Sequence, residues 1–156
     1  AYTEAYQATG DALFREVLEQ LFTWVEREMT SPEGGFYSSQ DADSEGEEGK
    51  FYVWTAEEID RLLGDQAAAF RLTYNVSPRG NWEDRHAPGQ PKNILHLSRR
   101  LGPDPFVVAR ATLFAAREQR VRPGRDDKIL TSWNGLMITA LAHAACALDR
   151  PDYADR

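Results

Sequence analysis

At 156 residues with a 42% hydrophobic share, the chain is long enough to bury a core, and its length fits one domain. A net charge of −7 excludes the clustered Lys and Arg of a nucleic-acid footprint and is poor for adhesion to anionic lipid. No apolar run approaches the ~20 residues of a membrane span, and residues 1–10 lack the basic start and apolar centre of a signal peptide, so a cytoplasmic location is the default.

In chain order, Leu13, Phe14, Val17, Leu18, Leu21, Phe22, Val25 and Met29 recur at three- and four-residue steps, which predicts a long first helix. Thr9 is its expected N-cap, and Ser31-Pro32-Glu33-Gly34-Gly35 ends it. Two aromatic segments follow, Phe36-Tyr37 and Phe51-Tyr52-Val53-Trp54. They bracket a turn crowded with Asp41, Asp43, Glu45, Glu47 and Glu48. Aromatic ends favour half-buried extended backbone, so the expectation is a β-hairpin carrying an acidic loop.

Thr55-Ala56-Glu57-Glu58 is a capping box, and the helix it opens stops at Gly64. Asp65 is placed to cap a further short helix. From Asn75 to His96 the prolines and glycines break every period, which predicts a long irregular loop. Pro103-Asp104-Pro105 starts another helix, and Pro123-Gly124 terminates it.

A second polar loop, Arg125-Asp126-Asp127-Lys128, precedes a last helix from about Trp133 to Leu148, with Ser132 as its expected N-cap. That helix has almost no polar stripe and is expected to be buried on most sides. His143 within it reads as a core histidine. His96 lies at an apolar edge and His86 in the irregular loop, and the three share no spacing suited to zinc. The single Cys146 permits neither an internal disulfide nor a CxxC pair. Ala1 enters helix-favouring sequence without a cap, and 151–156 reads as the start of another helix, so a piece of a longer protein is expected.

The segments GGFYSSQDADSEGEEGKFYVWTAEEI, GNW, NILH and RPGRDDKILTSWNGLMITALAHAA resemble those of the thioredoxin-domain-containing family of spermatogenesis-associated protein 20 and its bacterial relatives. The resemblance runs from about Tyr2 to Tyr153. It implies an internal slice of an (α/α)6 toroid like those of six-hairpin glycosidases and N-acylglucosamine 2-epimerases. The fold class is then mainly α, a partial toroid of helical hairpins with a small β-hairpin insertion. Residues 1–156 would form a single piece of that domain, without the thioredoxin-like domain and the remaining hairpins.

The acidic loops admit three functions. In the first, a carbohydrate-active hydrolase or isomerase uses Asp41 or Asp43 against Asp126 or Asp127, because glycoside chemistry needs two facing carboxyls. Tyr37, Trp54, Trp133 or Trp82 would supply an aromatic platform for a sugar-like small molecule, while Asn134 and Lys128 bind or orient it. In the second, the chain is a non-catalytic partner of the thioredoxin-like domain, with self-association of the isolated piece as a further expectation. In the third, the spacing of Asp41, Asp43, Glu45 and Gly46 opens like a calcium loop and merely stabilises itself around a cation, although the twelfth position is Tyr52 instead of Glu. Neither a resident metal nor a cofactor is expected.

Overall fold

The computed structural model describes residues 1–83, 89–98 and 104–155. In chain order the elements are α1 (Tyr2–Thr9), α2 (Ala12–Glu28), β1 (Ser39–Gln40), β2 (Asp43–Ser44), β3 (Glu47–Glu48), α3 (Ala56–Leu63), α4 (Ala67–Thr73), α5 (Val107–Arg117), β4 (Arg125–Asp126) and α6 (Thr131–Leu148). They form two compact units. One joins Ala1–Gln40 to Arg125–Arg156, and the other is the continuous segment Asp41–Gly124.

In the first unit, Gly10 closes α1 in the left-handed region (φ 67°), where glycine carries no Cβ penalty. The N-cap of α2 is Asp11, whose carboxylate accepts from the Leu13 amide at 2.9 Å, and not Thr9. Thr9 ends α1, and its hydroxyl donates back to the Ala5 carbonyl at 2.7 Å. Leu18 and Phe22 of α2 pack with Leu141, Ala144, Ala145 and Leu148 of α6. Tyr153 lies 5.0 Å from the Phe22 ring.

Helix α6 buries a narrower arc than its composition predicts. Trp133, Leu136 and Ile138 are 52%, 70% and 60% exposed, and His143 is on the open side instead of in the core. Ser132 lies inside the helix, whose N-cap is Leu130 with no side-chain cap. An apolar face says that a helix needs cover; it does not say that this stretch of chain supplies it.

The aromatic segments also pair differently from the expected hairpin. Phe36 bridges Thr30, while β1 runs antiparallel to β4 with Ser39 opposite Asp126.

In the second unit the acidic hairpin is β2 with β3, closed by Glu45 and Gly46 at φ 54° and 77°. Two successive positive φ values match the twist of tight two-residue hairpins. Phe51 and Tyr52 form a turn and not a strand, with the Gly49 carbonyl accepting from the Tyr52 and Val53 amides at 2.8 and 3.1 Å, while Trp54 makes an isolated antiparallel bridge to Asn93. The capping box is formed, with Thr55 Oγ1 accepting from the Glu58 amide and Glu58 Oε2 from the Thr55 amide. Asp65 sits in a 3-10 turn over Gly64–Gln66 and caps nothing.

The core of this unit gathers Trp54, Ile59, Phe70, Tyr74, Phe106 and Leu113. Phe70 stacks on Tyr74 at 4.3 Å and meets Phe106 edge-on at 5.4 Å. The irregular loop is anchored to that core through Asn93, which pairs with Trp54. Gly80 takes φ 79°, and a Cβ there would lie 2.6 Å from the Lys92 carbonyl oxygen and 2.9 Å from its nitrogen. Gly80→Ala is therefore expected to lower stability by about 2 kcal/mol or more in chemical denaturation. A wild-type midpoint would contradict the contact.

Candidate functional site

The polar loop of the first unit is internally tied. Lys128 Nζ donates to both oxygens of Asp126 at 2.6 and 2.5 Å, and Lys128 holds that carboxyl below its ordinary value. The Asp126 carbonyl accepts from the amide and the hydroxyl of Ser38, both at 3.2 Å. Asp127 is exposed. The Arg125 guanidinium lies 4.1 Å over the Tyr37 ring, so one face of that platform is already covered.

Asn134 is committed to backbone. Its Oδ1 accepts from the Phe36 amide at 2.7 Å, and its Nδ2 donates to the carbonyls of Phe36 and Leu130 at 2.9 and 3.0 Å. In this arrangement Asn134 pins the chain after α2 to the start of α6. Of the proposed aromatic platforms, Trp133 is the one that stands open.

Asp41 and Asp43 belong to the second unit and are exposed. Asp41 Oδ1 accepts from the Asp43 amide at 3.1 Å, a local turn of the kind short acids make. Among the described residues no group of three or more His, Cys, Asp or Glu side chains is arranged to hold a metal ion. His96 is exposed, with Nδ1 3.3 Å from the Ile94 carbonyl; His86 lies outside the described residues.

The same unit contains a cleft that the loop motifs do not announce. It encloses about 600 Å³ and is walled by Glu45, Glu47, Glu58, Lys50, Lys92 and Arg120 above Phe51, Val53 and Trp54. Arg120 is held on every side. Its Nη1 donates to the carbonyls of Phe51 and Val53 at 2.9 and 2.8 Å and more loosely to Lys50 at 3.3 Å. Its Nη2 reaches Glu58 Oε1 at 3.3 Å, and the guanidinium covers the Trp54 ring at 4.0 Å. Burial pulls its pKa below the ordinary arginine value, with Glu58 opposing the shift. Trp54 is 4% exposed, so it floors the cleft from inside the core and offers no open platform.

Glu47 sits between two ammonium groups, Lys50 on Oε1 and Lys92 on Oε2, each at 2.9 Å, and Lys50 also approaches Glu45 at 3.3 Å. The hydrogen bond from Lys50, then that from Lys92, holds the Glu47 carboxyl below its ordinary value. A depressed folded-state pKa contributes stability above the unfolded value that is lost as pH falls through the folded one. Wild type should therefore lose stability below about pH 4.5 more steeply than Glu47→Gln, and parallel acid-denaturation curves would contradict the clasp.

Sequence reasoning missed this wall. The Glu47–Lys50 spacing of three residues is visible in the sequence, but Lys92 and Arg120 arrive from distant segments with no local pattern.

No family model matches the chain. It is similar to spermatogenesis-associated protein 20 of Homo sapiens, 32% identical over 95% of this chain and 23% of the relative. The similarity supports the spermatogenesis-associated protein 20 family. The Mus musculus spermatogenesis-associated protein 20 is also 32% identical, over 94% of the chain and 23% of its own length. An uncharacterized protein of Caenorhabditis elegans is 31% identical over 91% of the chain. The chain thus spans about a quarter of the length of spermatogenesis-associated protein 20 (23%). Among the described residues, no helix is long and apolar enough to cross a membrane.

Proposed function

We propose that the chain is a section of a larger (α/α)6-type helical domain whose polar cleft takes a sugar or a related polyhydroxylated ligand. The observation that carries the reading is the cleft at residues 44–121, where carboxylates alternate with cationic donors above an aromatic and aliphatic floor. Sugars present hydroxyls around an apolar ring face, and such a wall meets both. Asp41, Asp43, Asp126 and Asp127 do not line that cleft; as candidate acids for chemistry each is separable by a single Asn variant. Calorimetric titration of the longer protein with monosaccharides and sugar phosphates tests the reading. Saturable heat with at least one sugar is expected, and silence across the panel would overturn it.

A second reading, a non-catalytic partner of the thioredoxin-like domain, is favoured by one observation. Helix α6 carries no Asp, Glu, Lys or Arg along Thr131–Leu148 and leaves Leu136 and Ile138 open. In that reading Leu136→Glu weakens association with the thioredoxin-like domain and leaves sugar titrations unchanged. Undiminished association with that domain would remove it.

A further inference from the structure

We infer that the 44–121 cleft selects an uncharged, hydroxyl-rich ligand over its phosphorylated counterpart, with Glu45, Glu47 and Glu58 as acceptors for the ligand's hydroxyls. The inference rests on the ligand reading above and adds to it the charge state of the ligand.

The argument is one of charge and hydrogen-bond capacity. Three carboxylates face three cations across the wall, so no net positive charge remains to attract a phosphate. The cations are also committed. Arg120 is fixed on the carbonyls of Phe51 and Val53 and on Glu58, so it does not present the free fork that clamps a phosphate. Lys92 has a side chain only 8% exposed and holds Glu47, and Lys50 is shared between Glu47 and Glu45. A phosphate entering here would have to break one of these pairs and would then face the released carboxylate at close range.

The acceptors are in the opposite position. An ionised carboxylate offers about four lone-pair sites. Glu47 accepts from one lysine on each oxygen, and Glu45 is engaged by Lys50 on a single oxygen. The unmet capacity of the wall is therefore acceptor capacity, which a donor-rich ligand satisfies. Gln119, exposed at the rim, adds an amide that both donates and accepts. The apolar floor of Phe51, Val53 and Trp54 suits the carbon skeleton of a cyclic polyol.

The test material is the longer protein that carries this section, as for the reading it rests on. Ligand-observed NMR titrations would use glucose, N-acetylglucosamine, myo-inositol, glucose 6-phosphate and putrescine as probes. At least one neutral polyol is expected to bind, and glucose 6-phosphate at least about tenfold more weakly than glucose. Glu45→Gln and Gln119→Ala sit at the exposed rim outside the core and should each weaken the polyol several-fold while leaving the thermal midpoint in place. Equal or tighter binding of glucose 6-phosphate overturns the inference and leaves the sugar reading standing. Polyol binding untouched by both rim variants overturns the assignment to this cleft. Binding of none of the polyols, or of putrescine alone, overturns the sugar reading and the inference with it.

Discussion

Asn93→Leu is expected to lower the stability of the 41–124 unit by about 3 kcal/mol, read as a shifted urea midpoint with an unchanged slope. Asn93 is 0% exposed, and its side chain is fully employed: Oδ1 accepts from the Ser77 amide at 2.8 Å, and Nδ2 donates to the carbonyls of Ser77 and Trp54 at 3.1 and 3.2 Å. Its backbone exchanges two further bonds with Trp54, at 2.7 and 2.9 Å. Leucine keeps the branched heavy-atom outline but is bulkier, so some overpacking adds to the loss of the polar contacts. The Ser77 amide and the two carbonyls would be left without these partners in a dry site. By the usual scaling for a unit of this size, the melting temperature should fall by roughly 12–24 °C. A change under about 0.5 kcal/mol would mean that water or a local shift replaces the amide, and the account of the anchor would be wrong.

Arg120→Met should cost about 2–4 kcal/mol and deform the cleft wall. The substitution leaves the carbonyls of Phe51 and Val53 and one oxygen of Glu58 without their donor, and it removes the cation above Trp54. Arg120→Lys retains the charge but offers a single ammonium where a planar fork serves several acceptors, so it should recover less than half of the loss. Full rescue by lysine in the same denaturation experiment would show that charge alone matters at this position. Trp54 fluorescence supplies an independent readout, since the ring would lose the guanidinium that covers it.

Local signals were legible in the sequence and long-range ones were not. The Thr55–Glu58 capping box formed as read, because both partners lie within one turn and nothing else competes for their amides. The long helix before Glu28 was equally plain. The aromatic pair Phe51 and Trp54 announced burial correctly, at 2% and 4% exposure, but burial does not distinguish a strand from a turn. Sheet partners are set by segments far apart in sequence: Ser39 pairs with Asp126 and Trp54 with Asn93. The acidic loop drew attention because its charges are adjacent in sequence. The wall of the cleft, which joins Glu47 to Lys92 and Glu58 to Arg120, depends on side chains that only folding brings within 3.3 Å.

The division of the chain also fixes an order of assembly. Residues 41–124 carry all of one unit without interruption, whereas the other draws on segments before and after it. During synthesis from the N-terminus, the middle unit has its full complement as soon as residue 124 clears the ribosome. Leu18 and Phe22 must wait for Leu141 and Leu148 before their shared interior can close. That delay leaves Leu18 and Phe22 without their α6 partners in the nascent chain, which is the interval in which a holdase would find them.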